Sequence, residues 1–280
     1  RFIKVQGSLL ATFVKDHTQK QARKPSARMV TPAVFVSFAP WGGRTFSIRA
    51  FAKKSFRMPT FNELYYTDIG NATLSPETAI QYNLGVVYGK STGPSWFGGV
   101  RIQADGYFNT VPDKIIAYPK GQQFRWTMLN LGRVHIWGLD AEAEVTLRPM
   151  ADVCVTSRIQ YTFQQARDVT SSELSYYNDQ IPYIPRHSGS AIIGLAYKSL
   201  SMNYSFIYVG ERYSQQENIA TNHVQPWYTS DLSMTYRANI KRVGVRLTLE
   251  VNNLFSQDYD VIINYPMPKR NYAVSLEVML

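Results

Sequence analysis

The 280-residue sequence predicts an all-β fold, the wall of an antiparallel transmembrane β-barrel with about twelve strands. Three observations predict it. Apolar and polar residues alternate with period two over long stretches, short and long connections follow one another in turn, and helical periodicity appears nowhere over a useful length. No run of about 18 apolar residues exists, which excludes a helical membrane span. A mean hydropathy of -0.24 is compatible with a barrel, whose signal is alternation.

The strands are expected to start near Arg1, Val30, Arg44, Thr78, Phe97, Arg133, Asp152, Ser188, Ser201, Trp227, Arg242 and Asn271, each roughly 9 to 14 residues long. Residues 152 to 167, "DVCVTSRIQYTFQQAR", place Val153, Val155, Ile159, Tyr161 and Phe163 on one parity and Thr156, Arg158, Gln160 and Gln164 on the other. "GLDAEAEVTL" sets Leu139, Ala141, Ala143 and Val145 against Asp140, Glu142 and Glu144, and "RVGVRLTLEVNN" repeats the split. One face is oily and the other wet. The wet face carries Arg101, Gln103, Asp105, Arg158, Glu250 and Asn252, too charged for a packed small barrel, so a wide or plugged lumen is expected.

Short turns fall at "PWGG", "KSTGPS", "RPMAD", "KSL" and "RANIK". Long loops fall between them, at Asp16 to Met29, Ser55 to Glu77, Val111 to Gly132, Arg167 to Arg186, Arg212 to Pro226 and Ser256 to Arg270. Short periplasmic turns and long external loops are the habit of outer-membrane barrels, so the alternation assigns sidedness and places both ends of the chain on the periplasmic side. Trp41, Trp96, Phe97, Tyr197, Tyr208, Trp227, Tyr228, Tyr236 and Tyr272 sit near strand ends, as interfacial girdles require. A soluble β-sandwich would have strands nearer five or six residues and no such alternation of loops.

The formal charge of +10 is scattered along the wet parity and the loops with acids interleaved, which argues against nucleic-acid binding. The single Cys154 leaves neither a disulfide nor a metal-type spacing. No metal site or cofactor is indicated. His187 beside Ser188 is the only pair suggestive of hydrolase chemistry, and neighbours on a strand point to opposite faces, so no catalytic residue is assigned and the chain is read as a non-enzyme. A self-standing twelve-stranded channel or hydrolase and a soluble β carbohydrate binder remain the alternatives.

Residues 55 to 90 carry a more specific signal. "SFRMPTFNELYY" followed by "GNATLSPETAIQYNLGVVY" resembles the TonB-dependent outer-membrane receptors through Phe56, Arg57, Pro59, Gly70, Asn71, Leu74, Pro76 and Glu77. "GYFNTVPDKIIAYP" with "NLGRVHIWGLDAEAEV", and "EVNNLFSQDYDVIINYPMPKRNYAVSLEVML" at the end, resemble two further segments of that family. Members have a barrel of roughly 22 strands and an N-terminal plug. The resemblance therefore implies that residues 1–280 are the C-terminal part of one barrel domain, with the plug, the TonB-binding box and the first strands lying outside this chain. Leu280 departs from the aromatic that ends many such barrels.

The resemblance further implies an active-transport receptor in the outer membrane of a Gram-negative bacterium, in contact with lipopolysaccharide and outer-membrane lipid. It would bind a metal chelate such as a ferric siderophore, or cobalamin, and import it with TonB energy. Haem is disfavoured, because no histidine lies in "TFNELYYTDI" where haem receptors of the family carry one. Loop aromatics that offer stacking and hydrogen bonding to such a ligand are Tyr65, Tyr66, Tyr118, Phe124, Trp126, Tyr176, Tyr177 and Tyr213, with Arg125 as the favoured cation. The basic loop with Lys15, Lys20, Arg23, Lys24 and Arg28 suits an anionic chelate or lipopolysaccharide phosphates.

Overall fold

A computed structural model describes residues 2–15, 26–40, 45–120, 125–240 and 243–279. In chain order the elements are β1 (Ile3–Lys15), β2 (Ser26–Phe38), β3 (Phe46–Arg57), α1 (Phe61–Tyr65), β4 (Glu77–Lys90), β5 (Phe97–Lys120), β6 (Arg125–Met150), β7 (Val153–Asp168), β8 (His187–Tyr197), β9 (Leu200–Val209), β10 (Arg212–Tyr213), β11 (His223–Val224), β12 (Trp227–Ile240), β13 (Val243–Asn252), β14 (Asp260–Ile262), β15 (Tyr265–Pro266) and β16 (Asn271–Met279). Twelve of these strands form one antiparallel sheet in the order β1-β2-β3-β4-β5-β6-β7-β8-β9-β12-β13-β16, and the other four make two small ladders in loops. The sheet is not closed: β1 and β16 each pair on one side only.

Register keeps the oily parity in line from strand to strand. Ala50, Leu84, Gly106, Leu139 and Phe163 form one row across β3 to β7, and Leu232, Val251 and Tyr272 one across β12 to β16. Leu84 lies on an interior strand and is still 61% exposed, so no second sheet covers this face. Such a surface is stable only against lipid. The aromatics mark its limits. Tyr82, Phe108 and Trp137 are register partners on the loop side, as are Tyr208 and Tyr228, whereas Tyr197, Leu200 and Tyr236 line up on the turn side. From Tyr228 to Tyr236 is about 27 Å along the strand at about 3.4 Å per residue, which at a tilt near 40° spans about 21 Å of an apolar band of about 25 Å. Of the expected girdle, Trp41 lies outside the described residues.

The opposite face is polar and concave. Arg49 reaches Asp105 at 2.6 Å across Gly85, the register partner of both, where a Cβ would stand 2.1 Å from Asp105 Oδ1. Arg158 pairs with Glu142 at 3.0 Å, Gln160 donates to the same carboxylate at 2.8 Å, and Thr162 donates to Asp140 at 2.8 Å. A trough of about 600 Å³ runs along this face from Lys4 to Asp140, which only an inward-curving wall allows.

Three expectations need correction. Residues 111 to 132 are not a long loop: β5 runs on to Lys120 and β6 begins at Arg125, so the hairpin overhangs its neighbours. Pro112 is tolerated because pairing of β4 with β5 ends at Ile80 and Thr110, so the missing N–H faces no partner strand. The first loop is likewise shorter, since β2 starts at Ser26. A helix was also not expected, yet α1 forms, because Thr60 and Glu63 make a reciprocal capping box.

Candidate functional site

Among the described residues, 58–76 and 169–186 pack on the β5–β6 overhang, and 210–226 and 253–270 are joined to the latter. Residues 58 to 76 cover one side of the overhang. Leu64, Leu74 and Ile115 are buried together, with Tyr65 and Met128 against them. Asn71 donates to Met128 O at 2.9 Å while its Oδ1 accepts from Thr73 N at 2.9 Å, and Met128 N donates to Ile69 O at 3.1 Å. Glu77 accepts from Ile115 N at 2.9 Å, and Arg57 grips Glu63 at 2.8 and 2.9 Å. Burial raises the Glu63 pKa, but the Thr60 N–H and the Arg57 guanidinium outweigh it and hold the carboxyl below its ordinary 4.5. The signature residues Arg57, Asn71, Leu74 and Glu77 are thus staples of the loop to the barrel.

On the other side, residues 169 to 186 take over where β7 stops pairing with β6. Leu131, Val134, Ala166 and Ile181 form a buried cluster there. Gln180, 2% exposed, accepts from Ala166 N at 3.0 Å and donates to Gln164 O and Ile184 O at 3.3 and 3.2 Å. Asn218 holds the backbone of Gln180 in both directions, at 2.8 and 2.9 Å, and so locks residues 210–226 to residues 169–186. Arg212, 3% exposed, donates to the carbonyls of Gln225, Asp260 and Val261 at 3.2, 2.7 and 3.0 Å and adds the loop 253–270. Burial lowers its pKa, with Tyr183 and Asp260 opposing. Asn253 closes the set, accepting from Gln257 N at 2.8 Å and donating to Gln257 O at 2.8 Å.

Several of the expected ligand residues meet at this rim. Trp126 packs on Tyr183 with ring centroids 5.7 Å apart, and Tyr183 N donates to Tyr213 O at 2.7 Å. Burial raises the Tyr118 phenol above 10.0, with Tyr176 and Glu217 adding to the shift, so these three share one neighbourhood. Ser175 donates to Glu217 beside them. Tyr213 lies edge-on to His223, which contacts Glu211 at 3.2 Å. Tyr65 instead stacks on Phe61 at 6.1 Å over the first clasp, and Tyr66 and Tyr177 are 57% and 45% exposed. Phe124 lies outside the described residues, and of Arg125 only the backbone, opposite Lys120, is described. Of the basic loop, Lys20, Arg23 and Lys24 lie outside them too.

The residues that hold the rim were not singled out from the sequence. Gln180, Asn218 and Arg212 reach backbone groups 14, 38 and 49 positions away, which no local pattern records. Tyr183, between Pro182 and Pro185 in a loop already rich in tyrosine, was the one legible omission. The arrangement offers aromatic faces, phenol donors and the carboxylates of Glu211 and Glu217 on three loops bound to one another. No group of three or more metal-ligating side chains occurs among the described residues.

Residues 10–254 match the family described as TonB dependent receptor-like, beta-barrel. The chain belongs to this family. Its sequence is 34% identical over 88 residues, 31% of the chain and 13% of the relative, to the vitamin B12 transporter BtuB of Vibrio vulnificus. It is 25% identical over 228 residues, 80% of the chain and 34% of the relative, to the vitamin B12 transporter BtuB of Photobacterium profundum. Among solved structures it resembles BauA, the ferric preacinetobactin receptor of Acinetobacter baumannii, with a TM-score of 0.70 and 14% identity over 98% of this chain and 40% of that one. The TonB-dependent receptor barrel seen here thus spans well under half the length of the proteins it matches.

Proposed function

We propose that this chain is the C-terminal wall of an outer-membrane receptor that captures a large nutrient on its external loops and imports it with TonB energy. Cobalamin is the leading ligand and a ferric siderophore the second. The observation that carries the reading is the loop tier. Three connections are bound to one another through Gln180, Asn218 and Arg212 and carry Tyr176, Tyr183 and Tyr213, and the overhang they cover adds Trp126 beside Tyr183 and Tyr118 near Tyr176. Preorganised aromatic loops suit a rigid, bulky ligand, because ordering costs are met before binding. The two BtuB relatives favour cobalamin.

The same reading requires material outside this chain. Unpaired N–H and C=O groups in hydrocarbon cost several kcal/mol each, so β1 and β16 need partner strands, making a barrel of roughly 22. The polar, concave face with Arg49, Asp105, Glu142 and Arg158 suits a polar plug domain. Lys15 and Arg28 lie at the strand ends beside the first loop, where lipopolysaccharide phosphates are expected. The test is uptake of labelled cobalamin and a labelled ferric siderophore by cells in which the full-length receptor is the only route, with and without TonB. TonB-dependent uptake of cobalamin is expected. Accumulation of neither, or accumulation unaffected by loss of TonB, overturns the proposal.

A further inference from the structure

The polar, concave face of the wall is not uniform in charge. On β3 to β7 it carries a paired network, with Arg49 on Asp105 at 2.6 Å and Arg158 on Glu142 and Glu144 at 3.0 and 3.4 Å. On β13 and β16 Arg246 holds Glu277 at 2.8 Å. Between these two sectors the charge stops. Register carries the concave parity from Thr162 and Gln160 of β7 into β8 as Ser188, Ser190, Ile192, Gly194 and Ala196. It continues into β9 as Val209, Ile207, Ser205, Asn203 and Ser201. No charged side chain stands at any of these positions. The neutral lane is bounded by Arg158 on β7 and by Asp231 on β12, whose carboxylate accepts from Asn253 N at 2.7 Å. At about 4.8 Å between strands and about 3.4 Å per residue, the lane is about 14 Å across from β7 to β12 and about 27 Å long from Ser188 to Ala196.

The lane opens beneath the loop tier. β8 begins where residues 169–186 end and β9 ends where residues 210–226 begin, and Gly210 N donates to His187 O at 2.8 Å across that mouth. The two loops above it are joined by Tyr183 N donating to Tyr213 O at 2.7 Å. A trough of about 460 Å³ lies just inside the mouth, bordered by Asp140, Gln160, Thr162, Ser188, Ser190 and Val209. That volume is within the range of cavities that take small molecules. Among the described residues the side chains of Ser188, Asn203 and Ser205 make no hydrogen bond, and Ser190 makes a long one, donating to Gln160 Oε1 at 3.3 Å. The lane thus offers uncommitted neutral donors and acceptors along its length.

We infer that the neutral lane on β8 and β9 is the conduit of the transported nutrient, a low-affinity inner site for a large, rigid, hydrogen-bonding solute that has left the rim. The inference rests on the transport reading above and adds the sector through which transport runs. Charge-assisted hydrogen bonds are about twice as strong as neutral ones, so a domain filling the bore is gripped at the charged sectors and parts from the wall first along the lane. Passage needs many weak contacts in place of one strong one, which neutral hydroxyl and amide groups supply and a carboxylate or guanidinium does not. The lane also lies directly below Tyr183 and Tyr213, so the solute meets it without crossing the charged sectors.

The test uses cells carrying the full-length receptor and measures surface binding without energy and TonB-dependent uptake, each with labelled cobalamin and a labelled ferric siderophore. Ser190→Lys and Ser205→Lys each put a cation in the lane. Both are expected to slow uptake about tenfold, the factor by which a charged hydrogen bond exceeds a neutral one, with surface binding within about twofold of wild type. Ser47→Lys is the control. Ser47 shares the row of Ser190 through Val87, Gln103, Glu142 and Gln160 but lies in the charged sector, and uptake is expected to stay within about twofold of wild type. Slower migration of unheated protein on gels identifies a variant that has not folded, and Ser190→Asp and Ser205→Asp then take its place with the same expectation. Import of neither compound by wild type overturns the transport reading and this inference with it. Import by wild type with undiminished uptake in the folded lane variants, an equal slowing in Ser47→Lys, or loss of surface binding in step with uptake overturns the conduit alone.

Discussion

Replacing Gln180 by Ala is expected to loosen the loop tier while sparing the barrel. The side chain is 2% exposed and makes three hydrogen bonds, to Ala166 N at 3.0 Å, Gln164 O at 3.3 Å and Ile184 O at 3.2 Å. The two donated bonds are long and contribute about 0.5 kcal/mol each, whereas stranding the N–H of buried Ala166 costs about 2 kcal/mol. The sum, about 3 kcal/mol, raises the opening equilibrium of residues 169–186 about 150-fold. Hydrogen exchange on the full-length receptor reads this directly, as lost protection in residues 169–186 and, through Asn218, in 210–226. The strands from β3 to β5 should exchange as before, since no bond of Gln180 reaches them. If protection in both loops stays within about twofold of wild type, the tier is held by something other than this amide and the reasoning fails.

Three further outcomes follow from the geometry. Gly85→Ala places a methyl 2.1 Å from Asp105 Oδ1 and forces the Arg49–Asp105 pair apart, so a destabilisation of about 1–3 kcal/mol is expected in thermal or urea unfolding. Glu63 is held below its ordinary 4.5 in the folded state, so its contribution is present above that value and is lost as pH falls through the lower, folded one. Proteolysis of residues 58–76 should accelerate as pH drops below about 4.5 in wild type, and the dependence should flatten in Glu63→Gln. Arg212→Met removes the donor to three carbonyls, at Gln225, Asp260 and Val261, and limited proteolysis should then cut in 253–270 at least tenfold faster, from about 1.5 kcal/mol or more of lost charge-assisted bonding.

The wall was readable because its two environments differ so sharply. Phe97, Trp227 and Asn271 were placed as first residues of strands and are so, and most other starts lie within two residues of those found. Alternation needs only lipid on one side and water on the other, and each residue reports its side alone. The overhang was misread because Pro112 and Gly132 are breakers, and Asp113 takes a left-handed φ of 55° in the middle of β5, which interrupts the visible period. The pairing of the rim was less legible still. Tyr118, Trp126, Tyr176 and Tyr213 were named for their chemistry, which the sequence displays. What draws them together is Gln180, Asn218 and Arg212 bonding to main-chain groups of other loops, and a side chain's appetite for a distant carbonyl leaves no periodic trace.

β1 is thirteen residues long and β16 nine, and almost every residue of both is exposed. Either is a template ready to capture any extended peptide of matching register, a copy of itself included. Produced apart from its neighbours, this stretch would polymerise or precipitate instead of yielding monomers, in detergent as in buffer. Refolding trials based on it therefore have to occupy both edges before either finds a copy of itself.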